Sequence, residues 1–184
     1  MERREHRLFF SKQEVKEKAI RQKFLEAEQQ EIFVTVYEDM VKQMSPFYYL
    51  ERVEQQGWVV MTLGEEIDKL QQTYLLEEEY LKAYSLDCLG MEFLMKFYDC
   101  LKEDLAQEGF YIKQWLYPGE HLVLEEISEI FQQVKPKGVT YNAAFAMKPQ
   151  KSVAMKIILT DRIEDESCGI CTHCSNTTCT LRKE

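Results

Sequence analysis

The chain has 184 residues, 45% of them hydrophobic and 30% charged, which suits one main domain with a buried core plus an appendage. Its net charge of −9, with Lys and Arg dispersed among Asp and Glu, argues against a nucleic-acid partner, because phosphate contacts need clustered cations. No apolar run approaches the ~20 residues of a membrane span, and no secretory-type segment follows the charged start, so no membrane partner is expected and the expected location is cytoplasmic.

The first predicted element is a helix over residues 12 to about 44. Val15, Ala19, Phe24 and Ala27 give one apolar stripe, and Phe33, Tyr37, Met40, Val41 and Met44 give another. Ser11 with Glu14 is a capping-box pattern, Pro46 is the stop, and the polar stretch from Glu26 to Glu31 is a candidate break. Trp58-Val59-Val60-Met61 after Gly57 reads as a short buried strand. A helix follows from Glu65, its acidic first turn matching the positive end of the helix dipole, with Ile67, Leu70 and Tyr74 on the inner face. Another helix is expected from about Ser85 to Gln107, on a stripe running from Leu86 through Phe93 and Phe97 to Leu105, with Gly109 as its stop.

The second half changes period. Residues 110–117 alternate as a strand, Pro118-Gly119 is a turn, and Val123, Ile127, Ile130, Phe131 and Val134 mark a helix of about three turns. Pro136-Lys137-Gly138 breaks it, and residues 139–143 read as a strand. Ser152 to Thr160 is the clearest strand, with Val153, Met155, Ile157 and Leu159 on one face. Helices and strands mix without a βαβ repeat, so the expected class is α+β: a mixed or antiparallel twisted sheet with flanking helices. The organisation follows as a helical segment over 1–45, an α+β core over 46–163 and a cysteine-rich tail over 164–184.

The tail carries Cys168, Cys171, Cys174 and Cys179 in the spacing C-x2-C-x2-C-x4-C. Thiolates at such spacing can converge on one ion, and the compact C-x2-C-x2-C core suits an iron–sulfur cluster, with zinc the other option. Four reduced, unmetallated thiols are the plain alternative, and His173 is a possible substitute ligand. Cys88 and Cys100, both on a predicted helix, read as core thiols. His6 and His121 have no evident partners in the sequence and default to exposed positions. No nucleophile–base pair, Gly-rich phosphate loop or HExxH site is present.

Four stretches in order carry a resemblance: Met61-Thr62-Leu63-Gly64-Glu65-Glu66-Ile67-Asp68, Trp115-Leu116-Tyr117-Pro118-Gly119-Glu120, Met147-Lys148-Pro149-Gln150-Lys151-Ser152-Val153, and the terminal Cys171, Cys174, Cys179 and Arg182. They resemble the activation domain of cobalamin-dependent methionine synthase and its short stand-alone relatives, over roughly residues 50 to 184. The resemblance implies that fold. It also implies a reactivation partner for a cobalamin-dependent methionine synthase or another corrinoid protein, an accessory component of a methyltransferase system. Such a domain binds S-adenosylmethionine and presents its methyl group to the partner's cobalamin while flavodoxin or another reductant supplies an electron. The implied pocket residues are Trp115, Pro118, Gly119, Glu120, Met147 and Pro149, with the tail cysteines as an electron carrier.

Two of these positions depart from the pattern. The family arginine falls at Trp115 and the family tyrosine at Glu120. A guanidinium pairs bidentately with a carboxylate, and an indole does not. Lys113 and Lys148 are the candidate replacements for the missing charge. An alternative reading is therefore a non-enzymatic iron–sulfur or zinc-binding redox or interaction module that has lost S-adenosylmethionine binding, including a scaffold in which zinc staples the C-terminus.

Overall fold

The structure is a computed structural model and describes residues 2–166. Its elements in chain order are strand β1 (Glu2–Glu5), helices α1 (Lys12–Arg21) and α2 (Ala27–Gln43), strands β2 (Phe47–Val53) and β3 (Gln56–Thr62), helices α3 (Glu65–Leu76) and α4 (Tyr80–Gln107), strand β4 (Tyr111–Leu116), helix α5 (Glu126–Val134), and strands β5 (Thr140–Tyr141), β6 (Met147–Lys148) and β7 (Ser152–Thr160). Five strands form one sheet in the order β1-β2-β3-β7-β4, antiparallel throughout, and β5 and β6 form a separate small hairpin.

Alternation along the strands divides the core. Tyr48, Leu50, Val59, Met61, Met155, Ile157 and Leu159 point to the face covered by α1–α4, where they meet Phe33, Met40, Phe93, Phe97 and Leu101. Phe47, Tyr49, Trp58, Val60 and Ala154 point to the other face, which α5 covers with Ile130 and Val134. The sheet is thus buried on both sides at its centre, as in a two-layer α+β domain with one extra helix.

Ser152–Thr160 is the strand its alternation predicts, and α3 starts at the expected Glu65. The capping box is present: the Ser11 hydroxyl accepts from the Glu14 N–H at 3.2 Å, and the Glu14 carboxylate accepts from the Ser11 N–H at 2.7 Å. Several expectations are corrected. The single helix over 12–44 is two helices, and the break lies at 22–26, before the polar stretch. Lys23 takes a left-handed φ of 71°, which turns the chain so that Phe24 drops into the core. The long helix begins at Tyr80, α5 begins at Glu126, and the strand expected over 139–143 shrinks to Thr140–Tyr141. Strands β1 and β2 are additions to the sequence reading. The segment 2–43 packs into the same core as the rest: β1 pairs with β2, α1 packs on α2 and α2 on α4, and Val15, Ala19, Phe33 and Val36 are buried in that core.

Candidate functional site

Two of the motif segments, some eighty residues apart, are joined at one end of the sheet. Thr62 and Met61 on β3 pair with Ser152 and Val153 on β7. The Thr62 hydroxyl oxygen accepts from the Gly64 N–H at 3.1 Å and bonds the Ser152 hydroxyl at 2.8 Å, both buried. The Leu63 N–H donates to the Lys151 carbonyl at 3.0 Å. The Asp68 carboxylate accepts the Gln150 N–H at 3.1 and 3.0 Å. Gly64, which leads into α3, has a φ of 98°, and a Cβ there would lie 2.6 Å from the Ser45 hydroxyl oxygen. The glycine of the first motif is thereby required by backbone conformation and by close approach.

Beside this clamp lies an open cleft of about 400 Å³, lined by Asp68 from α3, by Thr140, Tyr141 and Asn142 at β5, and by Ala146, Met147, Lys148 and Gln150 around β6. The β5–β6 turn is built locally. The Asn142 side-chain oxygen accepts from the Ala144 and Ala146 N–H groups at 2.9 and 3.0 Å, and Phe145 adopts a left-handed φ of 59°. Tyr141 is held edge-on by Phe131 at 4.8 Å, stacks with Phe145 at 5.8 Å, and its hydroxyl bonds the Ser128 hydroxyl at 3.2 Å. The cleft therefore combines a carboxylate, an ammonium group and an aromatic wall on a braced hairpin. Its volume lies within the ~300–1,000 Å³ usual for small-molecule sites.

Of the six pocket residues expected from the sequence, Met147 lines this cleft. Pro149 is buried between its lining neighbours Lys148 and Gln150, after a cis peptide bond. Trp115, Pro118, Gly119 and Glu120 lie outside the lining. Trp115 is 3% exposed on the α4 face of the sheet, edge-on to Tyr98 at 5.2 Å, and its indole N–H has no hydrogen-bond partner among the described residues. Pro118 and Gly119 form a tight loop in which the Gly119 N–H donates to the Leu122 carbonyl at 2.8 Å, and Glu120 is at the exposed tip. Lys148 lines the cleft, whereas Lys113 is on β4, exposed and away from it. In the sequence Asp68 stands out only as the end of the first motif and Tyr141 only as a strand residue; the cleft brings them together.

Cys168, Cys171, Cys174 and Cys179 lie outside the described residues. Among the described residues no group of His, Cys, Asp and Glu is arranged to hold a metal ion. Cys88 is buried and Cys100 half-buried, both unpaired, and burial pushes the Cys100 thiol up to about 11. The two described histidines have partners, contrary to expectation. His6 bonds Asp104 at 2.9 Å, and the His121 Nδ1 accepts the Tyr117 N–H at 3.3 Å. No described helix is long and apolar enough to cross a membrane.

No protein-family model matches this sequence, and no curated protein matches it. Among solved structures, the fold is similar to the crystal structure of the MetH reactivation domain bound to AdoHcy, with a TM-score of 0.51 and 16% identity. The match covers 71% of this chain and 65% of that one, less than two thirds of the latter's length. At that identity the likeness shows the fold: α+β, with an antiparallel sheet and flanking helices.

Proposed function

We propose that the chain is a reactivation partner of a cobalamin-dependent methionine synthase or related corrinoid protein, and that its cleft holds S-adenosylmethionine. The observation that carries this reading is the cleft itself. On a fold shared with a domain that binds AdoHcy, the Met61–Asp68 and Met147–Val153 segments are clamped together and form its rim. The residues present fit a zwitterionic sulfonium ligand. Asp68 suits the cationic end, Lys148 the carboxylate that an arginine takes in the resemblance, and Tyr141 offers a flat wall to a purine or to the cation. When bound, S-adenosylmethionine would supply the methyl group. The protein's part is to hold the donor at a fixed rim over the partner's cobalamin, where orientation and effective concentration do the work. The tail thiols Cys168, Cys171, Cys174 and Cys179 are read as holding an iron–sulfur cluster or zinc, a cluster being the form that passes an electron in place of flavodoxin. The working location is cytoplasmic.

Titration calorimetry of the full chain, purified anaerobically, tests this with S-adenosylmethionine and AdoHcy. Saturable binding is expected, weakened about tenfold or more by Asp68→Asn or Lys148→Ala, as for loss of one charge-assisted contact. Absence of heat up to millimolar ligand refutes it.

One observation favours the alternative of a metal-binding redox or interaction module without S-adenosylmethionine binding. Trp115 stands where the resemblance places the carboxylate-binding arginine, and it is packed in the core rather than at the cleft. Metal analysis of the same sample, beside the calorimetry, separates the two: stoichiometric iron or zinc with no ligand heat would select this reading.

A further inference from the structure

The corner where α3 meets α4 is absorbed by neither reading. α3 ends in Leu75-Leu76, α4 begins with Tyr80-Leu81, and Glu77, Glu78 and Glu79 lie between. Leu76 is 78% exposed, Tyr80 65%, Tyr84 55% and Leu25 67%. Single exposed apolar residues are ordinary, but Leu76 and Tyr80 flank the same three-residue turn, and Tyr84 connects to Leu25 through Phe24. Ile32, Tyr80 and Leu81 line one shallow groove of about 310 Å³, edged by Glu78, Glu79 and Lys82. Tyr84 is one helical turn beyond Tyr80 on the same face, and its ring stacks on Phe24 at 5.7 Å, next in the chain to Leu25.

Charge decides what covers this face. Glu78 and Glu79 edge the groove, exposed Glu77 precedes them in the chain, and exposed Glu28 is one helical turn before Ile32 on α2. Lys82 is taken up by Glu79 at 2.5 Å and lies over the Tyr74 ring, and exposed Lys23 stands two residues before Leu25. The whole chain carries −9. A second copy would set like rims together, and an anionic lipid surface would be repelled. We propose that this corner is a protein-docking surface whose occupant is a helical segment with leucine-type side chains on one face, flanked by Lys and Arg. The apolar groove supplies the contact area and the acidic rim the orientation and approach rate. Asp68 and Leu76 are eight residues apart on α3, about 12 Å along its axis, so a protein seated here also reaches the neighbourhood of the cleft. The proposal stands whether or not the cleft takes S-adenosylmethionine.

Fluorescence anisotropy of the full chain with a labelled synthetic peptide tests it, using Leu and Lys at helical spacing over about five turns. A Ser/Lys peptide of equal charge and a Leu/Glu peptide serve as controls. The Leu/Lys peptide is expected to bind saturably and to weaken with salt. Leu76→Ser with Tyr80→Ser, or Leu25→Ser alone, should reduce affinity about tenfold, while Val123→Ser, an exposed apolar site elsewhere, should not. Four results overturn the proposal: no saturable binding, equal binding of the Ser/Lys peptide, binding undiminished in the patch variants, or a parent dimer that the patch variants abolish. The last would assign the face to a second copy.

Discussion

Glu92 is the most deeply buried acidic residue described, 2% exposed in the middle of α4, and it is the strap that holds α1 on the core. Its carboxylate accepts from Lys18 at 3.0 Å, from Gln22 at 3.1 Å and from Arg21, whose guanidinium reaches both oxygens, one of them at 2.5 Å. Removing one partner of a buried ion pair costs roughly 3–5 kcal/mol where the other charge is stranded. Here the stranding is partial. Arg21 is 41% exposed and can turn to water, while Lys18, 17% exposed, keeps its place over the Phe10 ring at 4.2 Å. The expected cost of Glu92→Ala is therefore about 2–3 kcal/mol. For a chain of this size each kcal/mol moves the melting temperature by about 2–4 °C, so the midpoint should fall by roughly 4–12 °C. Arg21→Ala alone should cost about 1 kcal/mol, and the two together should be non-additive by a similar amount, because they share one interaction. Differential scanning calorimetry reads the midpoints, and hydrogen exchange locates the effect at the amides of α1. A Glu92→Ala protein that melts within a degree of the parent, with α1 equally protected, would refute the assignment of Glu92 as the strap.

Gly64→Ala should destabilise by about 1–3 kcal/mol in urea titration, since it forces a Cβ onto a φ of 98° and into the Ser45 hydroxyl; an unchanged midpoint would mean that the turn is not fixed. Glu129 is held below its ordinary carboxylate value of 4.5 first by its hydrogen bond from Lys156. Its contribution is therefore full above the unfolded pKa and is lost as pH falls through the lower folded value. The stability advantage of the parent over Glu129→Gln should thus be present at pH 7 and shrink on acidification below about pH 4.5, and a constant advantage down to pH 3 would contradict the pairing. Burial raises the Cys100 thiol from 9.0 to about 11, so at pH 8 its thiolate is about 100-fold scarcer than an ordinary thiol's. Residue-resolved iodoacetamide labelling should find it correspondingly slow, and labelling at the rate of free cysteine would contradict its burial.

The parts of the fold that were legible in the sequence are those where one face alone is apolar. On β7 the large side chains of Val153, Met155, Ile157 and Leu159 take one face and alternate with Ala154, Lys156 and Thr160, and the α4 stripe keeps the helical period from Leu86 to Leu105. β2 is buried on both faces, with Tyr48 and Leu50 on the α4 side and Phe47 and Tyr49 on the α5 side, so its aromatic run carries no period. β1 fails the other way. Glu-Arg-Arg-Glu has no apolar residue, and the strand exists through backbone pairing with β2 and the ion pairs of Arg4 with Glu2, Asp104 and Glu108. The α1–α2 break was placed too late because polarity marks solvent exposure, whereas the turn is set by the need to bury Phe24.

The candidate site was half legible for a related reason. Spacing and residue type drew attention to Met61–Asp68 and Met147–Val153, and the strand register that joins β3 to β7 brings both to one rim. What the sequence could not give was the depth of each side chain. Trp115 and Met147 look equally available in a motif. Yet Trp115 points from β4 into the layer under α4, where Tyr98 meets its ring, while Met147 sits on a two-residue hairpin strand beyond the main sheet. A cationic side chain at 115 would need a charged partner in that layer, and the neighbours that pack there are aromatic and aliphatic. An indole satisfies the packing, and on the proposed reading the recognition of charge falls to the hairpin and to α3. Asp68 and Lys148 are the opposite charges of the cleft, and under the proposed function they are the residues on which the two ends of S-adenosylmethionine would be read.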